Sequence, residues 1–118
     1  SDEFSDMMMQ GGDEVERIIT SVAGSAAKTG IHFVVSTSRP SVDVYTDTLK
    51  ACFEPRMVFT VASRVDSESM LGESGAEKLN GRGDLLYRVF AETQADRIQA
   101  AYVSDDEIQR LTKTLRDN

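Results

Sequence analysis

Only one cysteine, Cys52, and one histidine, His32, occur in these 118 residues. A lone cysteine cannot close a disulfide within the chain, and this pair cannot supply the ligand set of a structural zinc site. No structural metal is therefore expected. Long apolar runs are missing as well: none approaches the roughly 20 consecutive apolar residues that span a bilayer. The first residues are polar and acidic, so no secretory leader is expected in this segment. No G-x-x-x-x-G-K-[ST] run is present, which removes the element whose backbone amides and lysine cradle nucleotide phosphates. Internal repeats and low-complexity tracts are also lacking. Positive charge is in short supply, 13 Lys and Arg against 20 Asp and Glu, for a net charge of −7. That balance opposes nonspecific attraction to nucleic acid and counts against a simple DNA-binding module, while leaving room for a protein that grips phosphate with a few loops. What remains is a chain of one-domain length whose 40% apolar content suits a modest folded core.

The chain is organised around residues 30–44, GIHFVVSTSRPSVDV. The apolar run 31–35, bounded by Gly30 and a Ser/Thr/Pro cluster, predicts a strand buried on both faces, as in a parallel sheet. Ligands of such sheets gather at the carboxyl ends of the strands. That end here carries Ser36, Thr37, Ser38 and Arg39, hydroxyls and a guanidinium suited to an anion, and Pro40 fixes the turn. His32, inside the apolar run, is expected in the core or behind the site rather than as a general base.

Upstream, Val15, Ile18, Ile19, Val22 and Ala26 recur at spacings of three and four, predicting a helix over 13–29 that Gly11 and Gly12 precede and Gly30 ends. Downstream, 41–52 reads as a short helical or irregular stretch with Leu49 and Cys52 inward and Lys50 outward. Strands are expected over 57–62 and 85–89, and a helical turn over 66–71 capped by Asp66 or Ser67. A polar connector, 90–96, leads as a hairpin into a strand over 98–103. The last helix should start with a Ser104–Glu107 capping box and bury Ile108, Leu111 and Leu115. The order of elements is mixed α/β.

Several stretches together resemble one family. DEFSD (2–6), GIHFVVSTSRPSVDV (30–44), LKACFEPRMVFTVASRVDS (49–67) and GAEKLNGRGDLLY (75–87) resemble, in the same order and with nearly the same spacing, the motor domain of the FtsK/SpoIIIE DNA translocases. The resemblance implies a single domain over 1–118: the C-terminal part of a RecA-like P-loop NTPase, three-layered with a mostly parallel sheet plus a C-terminal hairpin and helix. It begins at Walker B and lacks the P-loop portion. It implies an ATP-driven motor acting on double-stranded DNA in bacterial chromosome segregation and cell division. The motor would work as a hexameric ring on the cytoplasmic side of the inner membrane, with no membrane contact by this segment.

The resemblance also implies site roles. Asp2 holds hydrated Mg²⁺, and Glu3 orients and polarises the water that attacks the γ-phosphate of ATP. Thr37 and Ser38 lie near the nucleotide; Gly81, Arg82 and Gly83 approach nucleotide or a neighbouring subunit; Arg39, Lys50 and Arg64 touch DNA phosphate. Each has a plainer alternative: a solvated acidic terminus for Asp2 and Glu3, a salt bridge for Arg39, a tight turn for 81–83. An ion pair is the expected role of Arg56. Three positions depart from the family pattern: Ala27 where an arginine is usual, Ser38 where glutamine is usual, and Glu68 where many members carry arginine. A segment without a P-loop is not expected to hydrolyse ATP alone. The alternatives to a DNA motor are an FtsK-like protein-secretion motor and a degenerate, non-catalytic ring subunit.

Overall fold

A computed structural model describes residues 3–38, 41, 44–91 and 93–117. Helix α1, Glu3–Thr29, is interrupted at Gly12, whose φ of 47° and ψ of −133° leave the helical region. Glycine adopts such angles without a Cβ clash, so the expected break is there. The turns before it were not anticipated as helix; they carry Phe4 and Met8, four residues apart, into the core. Gly30, at φ 74°, ends the helix in the left-handed conformation, and the amide of Ile31 bonds the carbonyl of Ala26 at 3.0 Å.

Residues 31–37 do not form the expected buried strand. They run outside any sheet, with Ile31, Phe33 and Val34 exposed (51%, 43% and 94%) and His32 exposed beside them. The apolar run describes the residues correctly, but a strand becomes buried only when neighbouring strands flank it, and among the described residues none pairs with it. His32 is accordingly not a core residue.

Helix α2, Asp47–Cys52, is capped by Thr46, whose Oγ1 accepts from the Leu49 amide at 3.3 Å and donates to Glu16 of α1 at 2.7 Å. Leu49, fully buried, packs with Met8, Val44 and Tyr45; Phe4, Val15, Ile19 and Phe53 surround them. A second core consists of Val58, Leu71, Ala76 and Leu79, and Met70 packs on both. Arg56 helps to join the two: its guanidinium donates to the carbonyls of Lys50 (2.9 Å) and Met70 (3.1 Å) besides approaching Glu54 at 3.4 Å. The expected ion pair is present, and the same guanidinium also clamps carbonyls. The radius of gyration, 15.8 Å, exceeds the roughly 13.5 Å of a fully compact chain of this length. Two small cores side by side, with apolar faces left outside them, agree with that difference.

The described sheet has strands β1 (Arg56–Val58), β2 (Asp84–Arg88) and β3 (Asp96–Gln99) in the order β1-β2-β3. Both pairings are antiparallel, with Met57 opposite Tyr87 and Leu85 opposite Ile98. The mixed α/β reading therefore holds, while these three strands form the hairpin side rather than a parallel sheet. β3 is earlier and shorter than expected because its last partner is Asp84, before which the chain turns away through 81–83.

Helix α3, Arg64–Leu71, is capped by Ser63 rather than Asp66 or Ser67; Ser63 Oγ accepts from the Asp66 amide at 3.1 Å. Ser67 is instead buried, its hydroxyl donating to Glu73 O (2.8 Å) and accepting from the Ala76 amide (3.1 Å). Helix α4, Asp105–Arg116, begins with the expected Ser104–Glu107 capping box. Its expected buried stripe is not buried: Ile108, Leu111 and Leu115 are 51%, 63% and 69% exposed.

Candidate functional site

The site candidates fall in three places. At the first, the start of α1 meets the end of the 31–38 stretch. Ser5 is fully buried, and its Oγ lies 2.9 Å from Thr37 Oγ1. Glu3 opens that same helix two positions before Ser5, so Thr37 is fastened beside the turn that begins with Glu3. Ser38 is exposed next to it. Asp2 and Arg39 lie outside the described residues. Ser5 was not recognised in the sequence as part of this arrangement; a serine beside a carboxylate pair carries no periodic or spacing signal.

The second place is the turn Gly81, Arg82, Gly83, with successive φ values of 74°, 53° and 93°. Arg82 is the one non-glycine residue with positive φ among the described residues, a conformation that costs a side-chain-bearing residue about 1–2 kcal/mol. Its surroundings hold it there. The Asn80 amide donates to Asp84 Oδ2 at 2.8 Å, the Asp84 amide to Gly81 O at 3.1 Å, and the Ala100 amide to Gly83 O at 2.8 Å. Gln99 Nε2 donates to Arg82 O at 2.9 Å. The Arg82 guanidinium lies over the Tyr102 ring, 5.5 Å from its centroid.

Behind the turn, Asp84 is buried and receives both Nε (2.9 Å) and Nη2 (2.7 Å) of Arg97. The Arg97 hydrogen bonds, followed by the Asn80 amide, pull the Asp84 carboxyl down to a pKa of about 2. The same contact raises the pKa of Arg97. In the sequence Asp84 reads only as the approach to a strand, Tyr102 only as one face of an alternating strand with Ile98 and Ala100, and Arg97 carries no signal, because their partners are more than ten positions away.

The cations of the third place stand on separate helices, each paired within its own. Lys50 on α2 is not outward: its side chain is 13% exposed, and Nζ lies 3.0 Å from Asp47. Arg64 on α3 is 72% exposed, with Nε 2.7 Å from Glu68 Oε1. The hydrogen bond to Glu68 is the first cause that raises the Arg64 pKa. An open cleft of about 480 Å³ between α1 and α2 is lined by Asp13, Glu16, Arg17, Thr20, Ser21 and Thr48 and includes none of the candidates. Among the described residues no helix is long and apolar enough to cross a membrane.

The architecture that carries these places is part of a P-loop NTPase fold. It matches the pCW3 conjugation coupling protein TcpA, solved in its monomer form with ATPgS, at a TM-score of 0.69 and 25% identity, over 87% of this chain and 29% of that one. No protein-family profile matches. In sequence the chain is 45% identical over 115 residues to a DNA translocase FtsK of Haemophilus ducreyi, covering 98% of this chain and 12% of that protein. It is 47% identical over 107 residues to the Haemophilus influenzae FtsK (91% and 20%) and 42% identical over 116 residues to a Streptococcus pyogenes FtsK (98% and 14%). Over nearly its whole length the chain is thus similar to a segment of proteins named DNA translocase FtsK, and it spans between 12% and 20% of the length of these relatives.

Proposed function

We propose that this chain is the C-terminal part of the motor domain of an ATP-driven double-stranded DNA translocase, one folded unit over 1–118. The motor works as a hexameric ring on the cytoplasmic side of the bacterial inner membrane, in chromosome segregation and cell division. The observation that carries this reading is the 42–47% identity, over nearly the whole chain, to proteins named DNA translocase.

Asp2 and Glu3 take the metal-holding and water-orienting roles, and Thr37 and Ser38 respond to nucleotide. The Ser5–Thr37 hydrogen bond supports this grouping, because it fastens a hydroxyl of the 36–38 set to the helical turn opened by Glu3. Gly81, Arg82 and Gly83 meet nucleotide or a neighbouring subunit, which the advance fixing of Arg82 over Tyr102 supports. Arg39, Lys50 and Arg64 contact DNA phosphate, and Lys50 must leave Asp47 to do so. ATP, bound with Mg²⁺ in the complete motor, supplies the phosphoryl group passed to water. The set within this chain is incomplete, since no P-loop sequence occurs in it, so the segment alone does not turn over ATP.

A non-catalytic ring subunit is the second reading, favoured by Ala27 and Ser38 standing where the family usually has arginine and glutamine. ATP hydrolysis by the motor containing this segment, with and without duplex DNA and beside Glu3→Gln, separates the two. DNA-stimulated turnover that collapses in the variant is the expected result; an intact fold with no turnover refutes the motor reading.

A further inference from the structure

We infer that Glu68 is an internal competitor of DNA phosphate at Arg64, so that a duplex must displace a carboxylate of the protein before this contact forms. The inference rests on the proposed reading of Arg64 as a DNA-facing residue.

Arg64 is the first residue of α3, directly after the Ser63 cap, and its side chain is 72% exposed. Its Nε donates to Glu68 Oε1 at 2.7 Å, one helical turn onward, and Glu68 is itself 44% exposed. Helix stability explains little of the pair. The cation stands at the positive end of the helix dipole and the anion farther in, the reverse of the favoured order. Ser63 and Asp66 already serve the start of the helix. Nor does core packing explain it, since both side chains reach solvent. A second carboxylate, Glu77, adds its field to the guanidinium.

What the contact does accomplish is occupation of an N–H edge that a phosphate oxygen would use in a forked approach. A phosphate arriving at Arg64 must first displace Glu68 and then lie beside its charge. Exposed pairs of this kind are weak, so the competition attenuates the contact by about two- to fivefold and does not block it.

The test is duplex DNA binding by the motor that contains this segment, measured by fluorescence anisotropy across a KCl series. Four forms are compared: unaltered protein, Glu68→Gln, Arg64→Ala and the double variant. Glu68→Gln is expected to tighten binding about two- to fivefold near 0.1 M salt and to steepen the logarithmic salt slope by up to about 0.9 per contact. The gain should vanish in the Arg64→Ala background. An equal gain with and without Arg64 overturns the inference in favour of general charge removal. No gain from Glu68→Gln, while Arg64→Ala weakens binding, overturns it and leaves the DNA reading intact. An Arg64→Ala variant that binds as the unaltered protein does overturns the underlying assignment of Arg64 as well.

Discussion

Gly83 offers a prediction in which sterics and backbone conformation can be separated. A Cβ placed there would lie 2.4 Å from the carbonyl oxygen of Ala100 and 3.1 Å from its carbon. Those are backbone atoms at the end of β3, which no rotamer change can move. The residue also has φ +93°, and its own carbonyl accepts from the Ala100 amide at 2.8 Å. Gly83→Ala therefore incurs about 1–2 kcal/mol of left-handed strain, about 1 kcal/mol for the displaced hydrogen bond, and a clash that must open the Asp84–Gln99 end of the hairpin. The sum is about 2–4 kcal/mol.

Gly81→Ala is the control. Its φ is +74°, but the added Cβ meets only Thr60 Oγ1 at 3.9 Å, an ordinary contact. The strain term of about 1–2 kcal/mol remains alone. Hydrogen exchange of the β2 and β3 amides reads the local opening free energy. At tenfold per 1.4 kcal/mol, protection should fall about 30- to 1,000-fold in Gly83→Ala and about 5- to 30-fold in Gly81→Ala. Equal losses in the two variants would refute the steric argument and leave only the backbone term. Because Gly83 adjoins Arg82, the larger opening should also release the guanidinium from Tyr102.

Two further tests probe electrostatics and capping. The folded pKa of Asp84, about 2, lies below its ordinary 3.8, so its contribution to stability is full above about pH 4 and is lost as pH falls toward 2. Urea midpoints should decline across that window, and Asp84→Asn should remove part of the decline; the rest belongs to other lowered carboxyls such as Glu77 and Glu107, held by the amides of Gly75 and Ser104. A decline of the same depth in Asp84→Asn would contradict the assignment. Ser104→Ala should cost α4 about 1 kcal/mol. Since that helix has no buried residue to support it, its 105–116 amides should lose protection and the helical circular dichroism should drop; unchanged signals would mean that something other than the cap sustains it.

Features decided within a few residues could be read directly from the amino-acid order. Gly12 breaks a helix, Gly30 ends one, and Ser104 with Glu107 begins another, because backbone freedom and side-chain capping act over one turn. Four separated stretches in a shared order also identified the family, since agreement in register does not depend on burial. The cap of α3 shows how narrow that margin is: Ser63, Asp66 and Ser67 all carry capping side chains, but the helix starts after Ser63, which leaves Asp66 inside it and Ser67 buried in bonds to Glu73 and Ala76.

Burial was not legible in the same way. The 31–35 run and the Ile108, Leu111, Leu115 stripe are apolar as expected, yet apart from half-buried Val35 both are exposed, because periodicity tells which face is apolar and not what lies against it. Lys50 lies against the protein rather than outward although its partner Asp47 is exposed, and the candidate sites are built on Ser5–Thr37, Asp84–Arg97 and Arg82–Tyr102, partners 32, 13 and 20 positions apart in the sequence. A hydrogen bond or ring contact between such distant residues exists only after the chain has brought them together. Composition and local pattern therefore named the class and the chemical inventory, while the three-dimensional path chose which of those groups meet.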